Sequence, residues 1–411
     1  MKRILFIAPS SYPVNGPEAM VNAKHIYVLT QAGYTVDLVC RGVRDMSNYY
    51  PSENDTPYFF KGLNSINTVK VDTKWNLSTL YRHFRTLVKT GYIYKACDWS
   101  LNAINFCEKN LDIKSYDFIL TKDYPSEIAG VYLAKKYNVR WIPTWNDPYM
   151  WKKYPAPYGE GPGYRESFFR KRLIKDISKY AYKHLFPSPR LRDYMLKYMY
   201  GMKKEDCFVM PHILVDSFLN SSSDRGDNVL RIIHAGSIGV QRDPVNLFRA
   251  LGKFKAKYPE RKIDVTFLGI IQGLSEDFIN SEIQKQNIGD IIHFMKPVKY
   301  DESFKIVEKF DVCMILEAPC DEGIFLPSKL IDYLQNNKPV FTLSPANGTL
   351  NDLFKRGVVD YFADVSDVES IFRSLEGLYD DFTKKALIKE KELSDFCIPT
   401  IIKLHKDILF K

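Results

Sequence analysis

Short apolar, β-branched runs alternate with helix-length amphipathic segments along most of the chain. That alternation predicts parallel sheets joined by crossover helices. In the first half the strand-like runs fall at 3–8, 35–40, 68–71, 117–121, 140–144 and 184–186; in the second they fall at 230–235, 264–268, 291–294, 311–316, 339–343 and 358–362. Each half thus reads as a sheet of its own, and the expected class is α/β with two Rossmann-like domains. At 411 residues the chain suits two domains better than one core. The junction is expected near 210–228, where Ser221, Ser222, Ser223, Asp224, Gly226, Asp227 and Asn228 make a polar loop. Residues 43–65 and 149–166 lack periodicity and read as insert loops. Apolar and basic residues alternate at helical spacing over 400–411, a final amphipathic helix.

Composition is ordinary for a globular protein, with 45% hydrophobic and 26% charged residues. The opening Ile4-Leu5-Phe6-Ile7-Ala8 is too short for a signal-peptide core, and no run approaches the length of a spanning helix. The expected location is therefore cytoplasmic. Seven cysteines without a C-x-x-C pair argue for reduced core thiols and against zinc or a disulfide framework. The charge is uneven: residues 1–200 hold 30 Lys+Arg against 17 Asp+Glu, and residues 201–411 hold 28 against 32. Residues 151–185 concentrate nine of the basic side chains among Trp151, Tyr154, Tyr158, Tyr164, Phe168, Phe169, Tyr180 and Tyr182. That mixture suits an anionic membrane surface on the inner face of the cell membrane, or a phosphorylated acceptor. A solvated helix face with an aromatic core side accounts for it equally. Nothing in the pattern points to nucleic acid.

Two segments carry the clearest chemistry. In the first, a strand ends in Ile233-His234-Ala235, a turn containing Gly236, Ser237 and Gly239 follows, and a helix begins after Arg242-Asp243-Pro244. Glycines let backbone amides approach a phosphate, and a helix start with a neighbouring cation is a ready diphosphate site. In the second, the strand 311–317 leads through a loop with Asp321, Glu322 and Gly323 into a helix starting Pro327-Ser328-Lys329-Leu330-Ile331-Asp332. A carboxylate one turn into such a helix is placed to accept hydrogen bonds from ribose hydroxyls, and Lys329 to meet phosphate. Asp123 and Asp147 each follow a predicted strand in the first half and are candidates for contact with a sugar or for a base; an Asp before Pro is also an ordinary turn former.

These residues resemble a known family. Pro327-Ser328-Lys329-x-x-Asp332-Tyr333, followed by Lys338-Pro339-Val340, resembles the P-S-K-x-x-E-Y donor motif of retaining glycosyltransferases of the GT-B fold, family 4. Residues 236–243 resemble that family's G-x-x-x-x-x-K/R phosphate loop, and the opening 3–9 with Asn15-Gly16 and Gly33-Tyr34-Thr35-Val36 resembles its first strand, glycine loop and second strand. Trp145-Asn146-Asp147-Pro148 resembles its D-x-R-D-P-W segment. The resemblance implies two Rossmann-like domains facing across a cleft: 1–210 for the acceptor, 211–395 for the donor, and a C-terminal helix, 396–411, packing back toward the first. It assigns Arg242 and Lys329 to the diphosphate, Asp332 to the ribose, Gly236, Ser237, Gly239, Ser328 and Leu330 to donor binding, and Asn15 and Gly16 to the acceptor side.

Two positions depart from the pattern. Ser237 stands where a second basic residue is usual, and Ile324 where the first Glu of an E-x7-E pair is usual; Glu322, in a loop two residues longer, is the candidate replacement, the alternative being that this acid is absent. The implied reaction is transfer of a sugar from a nucleotide-diphospho-sugar, with retention, to a lipid-linked or polysaccharide hydroxyl. Arg242, Lys329 and helix-end amides would neutralise the leaving diphosphate without a metal or other cofactor. Rival readings are a nucleotide-sugar 2-epimerase, which needs more carboxylates and histidines than can be placed, and a sugar-binding protein, usually exported. A dinucleotide oxidoreductase needs G-x-G-x-x-G directly after a strand, which Gly236-Ser-Ile-Gly239 does not supply.

Overall fold

The run opening the chain becomes a central strand buried on both faces, with Ile4, Leu5, Phe6 and Ile7 fully enclosed, as expected of a parallel strand covered by helices on either side. The computed structural model describes residues 2–11, 16–42, 57–70, 77–94, 97–122, 124–215 and 228–410. These form two compact units. One contains the described residues up to Lys153, Pro162–Ile213 and the helix from Ile398; the other contains Tyr154–Gly161 and Leu214–Cys397.

The sheet of the first unit is built from β1 (Arg3–Ile7), β2 (Thr35–Cys40), β3 (Ser65–Thr68), β4 (Phe118–Lys122), β5 (Arg140–Thr144), β6 (His184–Phe186) and β7 (Cys207–Val209). Its order is β3-β2-β1-β4-β5-β6-β7, and every pairing is parallel. Two strands differ from expectation. The edge strand β3 lies three residues earlier than 68–71, because Asp37 in β2 accepts hydrogen bonds from Ser65 Oγ and Asn64 Nδ2, each at 2.6 Å, and fixes the register Asp37↔Ser65. Strand β7 is only three residues long, too short to stand out from the junction as a hydrophobic run. The terminal helix Ile398–Phe410 packs on the helix Pro17–Gln31 through stacked, buried His405 and His25.

The second unit's main sheet comprises β8 (Val229–Ala235), β10 (Lys262–Leu268), β12 (Ile292–Met295), β13 (Val312–Leu316), β14 (Val340–Ser344) and β15 (Tyr361–Asp364), in the order β12-β10-β8-β13-β14-β15. A separate parallel pair, β9 (Ile238–Gly239) with β11 (Ile271–Gln272), ties together the loops that leave β8 and β10. Side chains alternate between two apolar layers. Ile232, Met314 and Phe341 enter one; Ile233, Cys313, Ile315 and Val340 enter the other. Strand β15 begins three residues after the predicted 358, since the amides of Val358 and Val359 are spent on the carbonyl of Leu353 behind the left-handed Gly357.

Both sheets step outward from a central strand in one direction, return, and continue in the other. That leaves a crevice at the carboxyl ends of β1 and β4 in the first unit, and of β8 and β13 in the second, the places where open α/β sheets take their ligands. Residues 154–161, assigned by the sequence to the N-terminal domain, belong instead to the second unit. The rings of Tyr154 and Tyr158 pack on Phe325, with centroids 5.9 and 5.4 Å away. Among the described residues no helix is long and apolar enough to cross a membrane.

Candidate active site

Strand β8 delivers Gly236 to the second unit's crevice. A Cβ at this position would displace Lys329 Nζ, and one on Gly269 would collide with the carbonyl of Gly236, so it is at Gly269 that the backbone itself excludes a side chain. Gly239 is constrained in the same way by the carbonyl of Gln272, its partner across β9 and β11. The loop then turns through Arg242 into the helix Val245–Lys257. Opposite, β13 ends and Glu317 follows, its amide donating to the Leu343 carbonyl at 2.9 Å.

Arg242 is the centre of the cluster. Its Nε donates to Tyr158 Oη at 2.8 Å and its Nη2 to Glu317 Oε2 at 3.3 Å. Glu317 is 6% exposed, and its other oxygen, Oε1, has no hydrogen-bond partner among the described residues. Ser344 Oγ and Thr349 Oγ1 are buried and unpartnered in the same sense. All three residues line one crevice with Tyr158, Cys320 and Phe325. Buried oxygens without partners are costly unless water or a ligand supplies them.

The helix Ser328–Gln335 places Lys329 and Asp332 one turn apart. Burial and the charge of Arg242 draw the pKa of Lys329 down to about 8. Its Nζ stands 3.4 Å from Nε2 of His234, whose Nδ1 lies 3.1 Å from the carbonyl of Met314. A neutral imidazole donating from Nδ1 leaves Nε2 as an acceptor toward the ammonium, and burial with Lys329 beside it holds the His234 pKa well below its usual value. Asp332 accepts from Tyr300 Oη at 2.6 Å, which fixes the carboxylate. Tyr333 lies on the inner side of the same helix and accepts from the amide of Ala235 at 2.8 Å.

The structure therefore brings Gly236, Arg242 and Lys329 together, with Asp332 one turn further along the Lys329 helix and the amide of Gly239 donating to the Arg242 carbonyl; Ser237 and Ser328 adjoin Gly236 and Lys329 in the chain. Leu330 differs from expectation: its side chain is fully buried in the core and its amide donates to the Pro327 carbonyl, so it offers nothing to a ligand. Glu322 is half-buried, and the carboxylate paired with Arg242 is Glu317, at the end of the predicted strand 311–317. Ile324 is fully buried, so the position where the family pattern has an acid points into the core. Tyr158 and His234, which the sequence presents only within an aromatic stretch and a strand end, and Tyr300 also contact Arg242, Lys329 and Asp332 respectively. The available signal was an acid directly behind an uninterrupted apolar strand.

Gly16 and Asp147 lie in the first unit. Gly16 starts the helix Pro17–Gln31 with φ at 146°, a region where glycine is favoured. Asp147 is half-buried behind β5, next to Asn146, which donates to Glu18. Asn15 and Asp123 fall outside the described residues.

No protein-family model and no curated protein matches the sequence. Solved structures do match the fold along the whole chain. An Anabaena protein, HepE, crystallised with UDP and glucose, is 12% identical with a TM-score of 0.67, covering 100% of this chain and 99% of its own. Sucrose-phosphate synthase from Thermosynechococcus elongatus is 15% identical with a TM-score of 0.65, covering 100% and 96%. A glycosyltransferase from Rickettsia africae is 12% identical with a TM-score of 0.66, covering 100% and 99%. The chain has the α/β fold of these proteins, with two Rossmann-like sheets.

Proposed function

We propose that the protein is a retaining GT-B glycosyltransferase, similar to family 4, that uses a nucleotide-diphospho-sugar. The observation that carries this reading is the pairing of Arg242 and Lys329 around Gly236 at a strand-end switch point, with Asp332 one turn further along the Lys329 helix. Two cations suit a diphosphate, and a fixed carboxylate suits a ribose. The HepE structure, with UDP and glucose bound, is consistent with a ligand of that kind in this fold.

In this reading the departing diphosphate gathers charge as the glycosidic bond breaks. Arg242 and Lys329 stabilise that charge more strongly than the ground state, which lowers the barrier, and no metal ion is required for this step. Glu317 Oε1, Ser344 Oγ and Thr349 Oγ1 would meet hydroxyls of the sugar or its ordered water. The acceptor hydroxyl, on a lipid-linked or surface-polysaccharide glycan, would be handled from the first unit by Gly16, Asn15, Asp123 and Asp147, with residues 151–185 near an anionic membrane on the cytoplasmic side. Thermal stabilisation by UDP or GDP, retained with the corresponding nucleotide sugars, tests the donor assignment. Stabilisation by free sugars alone would overturn it in favour of a binding protein.

A further inference from the structure

The helix Leu77–Thr90 is inverted. Its buried residues are Thr79, His83 and Thr86, whereas Leu77 is 84%, Leu80 52%, Tyr81 62%, Phe84 59% and Val88 70% exposed. Positions 77, 80, 81, 84 and 88 follow the spacing of one helix face. The inner face is held to the helix Cys97–Asn110 by polar bonds: Arg82 Nε donates to Asp98 at 3.0 Å, and Lys89 Nζ to Asn105 at 2.7 Å and to Glu108 at 2.6 Å. A contiguous apolar stripe facing water on a folded unit marks a surface that something covers.

Charge identifies the cover. The helix contains no acid; Arg82 and Lys89 are paired inward with Asp98 and Glu108, and Arg85 is its exposed cation. Arg85 lies 5.8 Å over the exposed Tyr81 ring, at the edge of the stripe. Just beyond the helix, Gly91 abuts the guanidinium of Arg172, which is also 5.9 Å from the Tyr92 ring. Arg172 belongs to the helix Phe168–Tyr180, whose Lys171, Lys175 and Lys179 are exposed while Leu173, Ile174 and Ile177 are buried. An apolar face with an exposed arginine on it and exposed cations on a nearby helix is the pattern of a surface that meets an anionic bilayer, apolar side chains below the headgroups and basic ones among them. A second copy of the chain would instead bring the same cations against themselves in a two-fold dimer.

The geometry points to Leu77–Thr90 as a docking face for an anionic lipid surface, with Leu77, Leu80, Tyr81, Phe84 and Val88 entering the interface. It extends the membrane part of the reading above and is independent of sugar transfer. The test is sedimentation of the full chain with phosphatidylcholine vesicles, with and without phosphatidylglycerol, for the wild type, Leu80→Ser/Phe84→Ser and Lys171→Gln/Lys175→Gln. The wild type is expected to bind the anionic vesicles. The serine variant, with an unchanged or higher melting temperature because its sites are exposed, is expected to bind about tenfold more weakly or worse. The glutamine variant is expected to lose less binding and to show a weaker salt dependence.

Three results would overturn the inference. They are absence of wild-type binding, binding unaffected by the serine changes, or a wild-type dimer that those changes dissociate. Loss of binding in the glutamine variant alone would move the contact to residues 151–185, overturning the role of this helix while sparing the membrane reading itself.

Discussion

Arg242 donates from Nη2 to Glu317 Oε2 across 3.3 Å, and the second oxygen of that carboxylate has no partner among the described residues. The pair is unequal: Glu317 is almost wholly buried, whereas the Arg242 side chain keeps a third of its surface in solvent. Arginine thus compensates a carboxylate that would otherwise be stranded, while a third of its own surface stays in solvent.

Removing the arginine should expose that inequality. Arg242→Ala is expected to abolish stabilisation by nucleoside diphosphate. It should also lower unliganded stability by about 1–2 kcal/mol, a buried-pair loss discounted for the exposure of the guanidinium. Adding Glu317→Gln should restore stability, since no unpaired charge then remains, without restoring nucleotide binding. Urea unfolding with and without nucleotide measures both. Restored binding in the double variant would show that Arg242 does not hold the ligand.

Much of this arrangement was legible in the sequence. The apolar periodicity gave the strands at the centre of both sheets, because a strand covered on both faces leaves an unbroken run of apolar residues such as Ile4-Leu5-Phe6-Ile7. The glycine turn before Arg242 and the helix start at Lys329 were visible because backbone approach and helix capping are local requirements. Glu317 was not, since its role depends on Arg242, 75 residues earlier, and on a crevice made by the loop after β14. Tyr158 was hidden for the same reason: residues 154–161 sit apart from their sequence neighbours through ring packing on Phe325. The exposure of Leu80 and Phe84 was inaccessible as well, because periodicity reveals an apolar face but not whether the fold covers it.

Lys329 should make nucleotide affinity depend on pH. Burial and Arg242 hold it near 8 in the unliganded protein, and a bound diphosphate favours the ammonium form and raises that value. Affinity is therefore expected to be flat below about pH 8 and to fall above it, approaching tenfold per pH unit until the pKa of the complex is reached. Calorimetric titration with a nucleoside diphosphate across this range tests the slope. Lys329→Met should bind more weakly and lose the dependence; a variant with the wild-type slope would assign the titration to another group.

Glu127 affects stability rather than binding. It is buried, and desolvation pushes its pKa from 4.5 up to about 7, against the opposing pull of hydrogen bonds from Tyr94 and Tyr149. Between these values the folded chain holds a proton that the unfolded chain has released. This contribution is complete below pH 4.5 and is lost as pH rises through 7, a total of about 3 kcal/mol. Glu127→Gln should flatten that part of the stability profile measured by urea unfolding. An unchanged slope would mean that the carboxylate titrates normally.

The His25–His405 pair predicts the opposite slope. The two Nε2 atoms are 3.0 Å apart, so one nitrogen donates and the other accepts, and both rings are neutral. Burial lowers both pKa values, that of His405 to about 4 and that of His25 well below 6.5, where repulsion between the rings adds to the effect. Unfolded histidines take protons first as pH falls, so this stability is present above 6.5 and is lost progressively below it. Because Glu127 acts in the other direction over an overlapping range, the pair must be read in the Glu127→Gln background, where the acid-side slope should steepen. Replacing His405 with Phe there keeps a ring against the helix Pro17–Gln31 and should reduce the slope by about one proton or more. Amide exchange gives the local counterpart: residues 398–410 should lose protection near pH 5 relative to near pH 7.5, while the core strands β8 and β13 hold theirs. Equal loss in both regions would show that the histidines report global unfolding and do not pin the terminal helix.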